Sequence, residues 1–223
     1  MRQKLASEKK LKQELVRYGK KIIEKGLAVG PGGNISARKG NTIYLSPSGY
    51  SFDELNEDDY VGVNLKTGKI TEGTLKPTCE VSMHLGCYLI RKDISAVIHT
   101  HPPLVIGLIS AGAKIKPMFP DFVALVGEVP VIDYVIPAGE KIRKAVTKVI
   151  KKYDAVLLKN HGLVTVGATL KEAFYRAEII EEAARILIVS RIFGKPGFLN
   201  KREIKGIKNL EAEDYRKMLL KKG

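Results

Sequence analysis

The chain has 223 residues, and 38 Lys and Arg against 24 Asp and Glu give it a net charge of +14. A hydrophobic share of 44% beside 28% charged residues belongs to a folded globular domain and excludes general disorder. No apolar run approaches the ~20 residues that span a bilayer, the N-terminus lacks a signal-peptide core, and Cys79 and Cys87 are too few for a disulfide framework.

Residues 3–27 carry Leu11, Leu15, Tyr18, Ile22 and Ile23 at helical spacing. Gly30-Pro31-Gly32-Gly33-Asn34 then leads into a predicted hairpin, Asn34–Arg38 with Thr42–Ser46, and a turn at Ser46-Pro47-Ser48-Gly49. A second hairpin pairs Tyr60–Asn64 with Lys69–Thr71, and Thr78–Arg91 reads as a helix capped by Thr78. Ile94–Thr100 has a strand pattern, followed by a Pro-led helix from Pro102 to about Ser110. A strand over Val129–Tyr134 and a helix over Glu140–Lys152 come next. Ala155–Leu158 and Leu163–Val166 flank a turn at Asn160-His161-Gly162, before a long helix over Thr169–Arg191 and a terminal one over Leu210–Leu220. Strands that come as hairpins, not as βαβ units, predict one α/β domain over 1–223 with a mostly antiparallel sheet and a basic C-terminal helical extension from about 191.

The charge lies at the ends. Residues 1–25 carry nine basic and three acidic side chains, and residues 191–223 carry ten and four, so 26–190 is nearly neutral at +2. Aromatic residues amount to 7% with no Trp, too sparse for base stacking, and no nucleic-acid-binding signature is present. The expectation is a cytoplasmic protein with neither a nucleic-acid nor a membrane partner.

The chemistry concentrates on four histidines. His99 and His101 alternate on a strand, so both point to one face about 6–7 Å apart along the backbone, close enough for two imidazoles to meet on one cation. The same pattern also suits a hydrogen-bonded pair at a strand end. His161 stands in a tight turn and offers a third imidazole, which would give a three-histidine site with an open position. Glu80, read in the first turn of its helix, is the natural fourth group and a candidate base. His84 lies one turn further along, placed either to orient Glu80 or to pack. Gly33-Asn34, Ser48-Gly49 and Thr78-Cys79 offer backbone N–H groups and short donors that can cradle a phosphate, or are ordinary turns.

Taken in order, Pro31-Gly32-Gly33-Asn34-Ile35-Ser36, Ser46-Pro47-Ser48-Gly49, Pro77-Thr78-Cys79-Glu80, His99-Thr100-His101-Pro102 and Asn160-His161-Gly162 resemble the motifs of the class II aldolase/adducin family over residues 10–190. The resemblance implies a three-layer α/β/α domain in a C4 homotetramer with active sites between subunits. It also implies Zn²⁺ on His99, His101 and His161, with Glu80 as resting ligand and catalytic acid/base. A phosphate site at Asn34, Ser48, Gly49, Thr78 and Cys79 is carried over likewise, although the family usually has Ser where Cys79 stands. Its tyrosine proton donor from a neighbouring subunit falls nearest Tyr134, and a second C-terminal one on Tyr215. The implied reaction is reversible cleavage of a ketose 1-phosphate to dihydroxyacetone phosphate and a short aldehyde. Within the family, a sugar-phosphate 4-epimerase, which carries Asp in place of Glu80, and a methylthioribulose-1-phosphate dehydratase are the alternatives. A non-enzymatic adducin-like binding module is disfavoured by retention of all four ligands.

Overall fold

In the computed structural model, residues 2–221 are described. They build an eight-stranded sheet in the order β4-β3-β2-β1-β5-β8-β7-β6. The strands are β1 (Asn34–Lys39), β2 (Thr42–Leu45), β3 (Val61–Asn64), β4 (Ile70–Glu72), β5 (Ala96–Thr100), β6 (Val131–Ile132), β7 (Ala155–Leu158) and β8 (Gly162–Gly167). Every pairing is antiparallel except β6 with β7, so the expected sheet is the observed one.

Alternation along the strands divides the core into two layers. Ile35, Ala37, Ala96, Ile98, Leu157 and Leu163 pack with side chains of α1 (Arg2–Glu24), α3 (Pro103–Ser110) and α5 (Leu170–Phe193). Ile43, Val63, Val97, Val156 and Val164 pack on the other face with α2 (Val81–Ile90) and α4 (Gly139–Ile150). That gives the predicted three layers. Asn34, Ser36 and His99 share the α2 face by the same alternation, and this is what brings them together.

Several boundaries differ from the sequence reading. The second helix starts at Val81, not Thr78, because Thr78 takes the Glu80 N–H on its side chain and the Val81 N–H on its carbonyl, turning the chain before the helix begins. Glu80 is therefore the N-cap residue, not part of the first turn. β6 shrinks from six expected residues to two at the sheet edge, where only β7 supplies partners. Neither the π-helical turn over Phe122–Val126 nor α6 (Lys201–Lys208) was expected; the latter is short and solvated, held by an Asn200 cap and too polar to leave an apolar signature. α7 (Glu211–Lys221) returns to the body, where Thr169 Oγ1 donates to Leu220 O and Arg216 pairs with Asp121 at 2.9 Å.

Candidate functional site

The histidines converge because of how two strands end. His99 is opposite Val164 and Thr100 opposite Leu163 in the β5–β8 ladder, so the turn preceding β8 sits beside the end of β5. Asn160 adopts φ +53°, a left-handed conformation that Asn tolerates, and this tightens the turn carrying His161. Gly162 packs against the carbonyl of Thr100 so closely that any Cβ would collide with backbone. Gly33, at φ +78°, approaches the His99 carbonyl in the same way, with only 2.7 Å available to a Cβ.

The result is a compact donor set. His101 Nε2 lies 3.0 Å from His99 Nε2, and His161 Nε2 lies 3.2 Å from it. Glu80 Oε2 is also 3.2 Å from His99 Nε2. His99 Nδ1 donates to Leu163 O at 3.0 Å, which places the ring's lone pair on Nε2, facing the cluster. A tetrahedral cation with ligands at 2.0–2.1 Å keeps those ligand atoms about 3.3–3.4 Å apart, so the observed separations suit one. Glu80 is buried, yet its Oε1 has no hydrogen-bond partner, which leaves one acceptor open toward a cation or a substrate proton. The residues present fit a divalent metal.

Burial keeps the imidazoles neutral. It pushes His84 down to about 3 and His99 to about 4, and it lowers His101 and His161 as well. Burial opposes charge on Glu80, but His99, the Asn34 hydrogen bond and the other imidazoles outweigh it and hold the carboxyl below its ordinary range. Neutral nitrogens beside an ionised carboxylate are the protonation state that metal binding requires.

The three candidate phosphate segments meet at one edge of this cluster. Ser48 N–H donates to Lys76 O at 2.9 Å and Thr78 N–H to Ser46 O at 3.1 Å, joining the two turns. Ile35 N–H in turn donates to Ser46 Oγ at 3.2 Å, tying both to β1. Ser48, Gly49 and Cys79 are exposed there, whereas Asn34 and Thr78 are buried. Asn34 spends one amide N–H on Glu80 Oε2 at 2.8 Å and has a second to offer. Among the described residues, Tyr134 and Tyr215 hydrogen-bond to no site residue; they stand 54% and 60% exposed, after β6 and on α7. Ser36 and Tyr88, which hydrogen-bond behind His84, were not expected. Their signal was present: Glu80, His84 and Tyr88 recur every four residues, and Asn34 and Ser36 every two.

Residues 13–188 match the model of the Class II Aldolase and Adducin N-terminal domain. A 5-deoxy-D-ribulose 1-phosphate aldolase from Bacillus thuringiensis serovar kurstaki is 36% identical, over 89% of this chain and 93% of its own. A 3-oxo-tetronate 4-phosphate decarboxylase from Pectobacterium atrosepticum is 32% identical over 83% of this chain and 87% of its own. Among solved structures, an L-fuculose 1-phosphate aldolase superposes with a TM-score of 0.84 at 31% identity, covering 93% of this chain and 96% of that one.

Proposed function

Because the chain belongs to the class II aldolase and adducin family, we propose that this lyase uses a Zn²⁺ ion to cleave a ketose 1-phosphate, of the kind represented by L-fuculose 1-phosphate, to dihydroxyacetone phosphate and a short aldehyde. The observation that carries this reading is the meeting of His99, His101 and His161 with a buried carboxylate whose Oε1 is unpartnered.

The three imidazoles and Glu80 would hold the cation. When bound there, Zn²⁺ would act as a Lewis acid that polarises the ketone and offsets charge on the enediolate. In cleavage the C3–C4 bond breaks, the C4 hydroxyl gives up its proton as the aldehyde forms, and Glu80, having taken a proton from solvent, delivers it to C3. In condensation Glu80 takes that proton back. Asn34 steadies Glu80 Oε2 and turns its remaining N–H toward the phosphate, which Ser48, Gly49, Thr78 and the Cys79 backbone surround. Tyr134 from a neighbouring subunit serves as the proton acceptor at the C4 hydroxyl. Assembly into a homotetramer belongs to the same reading and would cover apolar side chains left open on one protomer, among them Val29 at 80%, Ile136 at 72% and Phe193 at 86% exposure.

The decarboxylase relative favours a second reading. Loss of carbon dioxide from a 3-oxo acid phosphate yields the same enediolate, again protonated by Glu80. A panel of ketose 1-phosphates and a 3-oxo acid phosphate, assayed with and without chelator, separates the two. Chelator-sensitive release of dihydroxyacetone phosphate together with an aldehyde supports the aldolase. Turnover of the 3-oxo acid alone replaces it with the decarboxylase.

A further inference from the structure

A hydrogen-bonded ladder connects the α2 face to β1 and ends on Glu80. Glu80, His84 and Tyr88 follow one helix face, while Asn34 and Ser36 follow one strand face. Four helical residues rise about 6 Å and two strand residues about 6.8 Å, so the rungs keep step. Asn34 Nδ2 lies 2.8 Å from Glu80 Oε2, and Asn34 Oδ1 lies 2.5 Å from His84 Nε2. His84 Nδ1 is 2.6 Å from Ser36 Oγ, which is 2.8 Å from Tyr88 Oη, and Tyr88 also donates to the Ser36 carbonyl at 3.0 Å. Ser36, His84 and Tyr88 are fully buried.

The direction of every bond follows from the carboxylate. An ionised Glu80 only accepts, so the Asn34 amide must turn its nitrogen to it and its oxygen to His84. His84 must then carry its proton on Nε2. Its Nδ1 becomes the acceptor for the Ser36 hydroxyl, and the single Tyr88 hydroxyl proton is shared between Ser36 Oγ and the Ser36 carbonyl. Reversing any one bond would set two acceptors or two donors face to face in a buried site.

We infer that His84 is a positioning residue: held in the Nε2–H tautomer by Ser36, it fixes the Asn34 amide so that an N–H faces Glu80 Oε2 and Oε1 alone remains open. This rests on reading Glu80 as the acid/base. Without His84, Glu80 alone restrains the broad terminal torsion of Asn34, and the amide loses its second anchor.

The test uses metal-free protein labelled with ¹⁵N-asparagine, in which the Asn34 carboxamide signal is assigned by its loss in Asn34→Ala. In the wild type its N–H protons exchange slowly; in His84→Leu they exchange fast and their shifts collapse; in His84→Gln, which keeps a donor toward Asn34, they stay protected. With Zn²⁺ bound, His84→Leu lowers kcat/KM on the order of 10–100-fold, and His84→Gln recovers most of that loss. Ser36→Ala, a smaller change that frees the tautomer, gives the same direction if His84→Leu does not fold. Unchanged Asn34 exchange in folded His84→Leu or in Ser36→Ala overturns the inference, as does a His84→Gln enzyme as slow as His84→Leu. Should no ketose 1-phosphate be turned over by the wild type, the aldolase reading fails while the exchange measurement still decides the role of His84.

Discussion

Replacing Glu80 with Gln separates metal holding from proton transfer. The side chain keeps its size, and its carbonyl still accepts from Asn34 Nδ2, which sits 2.8 Å from Oε2. What changes is the other end: the open, buried Oε1 becomes an NH₂ group with no acceptor. An orphaned buried donor costs about 1–3 kcal/mol of stability, partly offset because a neutral amide is easier to bury than a carboxylate. The three imidazoles remain, with the His101 and His161 nitrogens 3.0 and 3.2 Å from His99 Nε2, so Glu80→Gln is expected to retain most of its metal. Loss of a positioned general base lowers kcat by ~10²–10⁴-fold, equivalent to about 3–5 kcal/mol in the barrier. Metal content by mass spectrometry and a coupled assay for dihydroxyacetone phosphate read the two quantities on one preparation. Near-wild-type turnover would refute the acid/base role. Activity lost only in proportion to metal would reduce Glu80 to a ligand.

Other outcomes follow from the same geometry. Chelation is expected to abolish turnover and added Zn²⁺ to restore it, whereas His161→Ala loses metal at equal protein concentration and is not restored by stoichiometric Zn²⁺. Gly162→Ala places a methyl group against the Thr100 carbonyl, displaces the His161 turn and lowers both metal affinity and melting temperature; a variant with wild-type values of both refutes the close packing. Burial lowers the His84 pKa from an ordinary 6.5 to about 3, so the unfolded chain binds a proton the folded one refuses. Stability of the metal-free protein is therefore full above about pH 6.5 and falls toward pH 3, by about 1.4 kcal/mol per unit from this group. Urea unfolding should show a shallower acid slope in His84→Gln, and equal slopes would refute the shift.

Much of this site was legible in the chain, because its residue types have few other uses in their positions. A histidine in a tight turn between two apolar strands has no packing role, and His99 and His101 share a strand face by simple alternation. Less accessible was anything set by pairing across the sheet. The opposition of Asn34 to His99 depends on the β1–β5 register, which no local pattern in either strand encodes. The tautomer of His99 depends on the carbonyl of Leu163, a backbone atom that leaves no mark on residue type. The start of α2 was misplaced because Thr78 is a good N-cap by type, yet its side chain turns the chain ahead of the helix and leaves the cap position to Glu80.

The difference between aldol cleavage and decarboxylation lies away from the metal cluster. In the proposed chemistry both reactions leave the same enediolate and both would use Glu80 to protonate one carbon, so the donor set and its ladder would serve either. Only the aldol direction must also take a proton from the C4 hydroxyl, and within the described residues of one protomer no tyrosine hydroxyl hydrogen-bonds to the imidazole cluster. Tyr134 is exposed and its hydroxyl hydrogen-bonds to none of the described residues, which suits a residue whose partner lies across a subunit boundary. Tyr134→Phe should therefore slow release of the aldehyde by ~10²-fold or more while leaving exchange of the dihydroxyacetone phosphate C–H proton with solvent intact, since in the proposed mechanism that proton moves through Glu80 and not through Tyr134. Loss of both rates together would place Tyr134 in substrate binding instead, and loss of neither would remove it from the reaction.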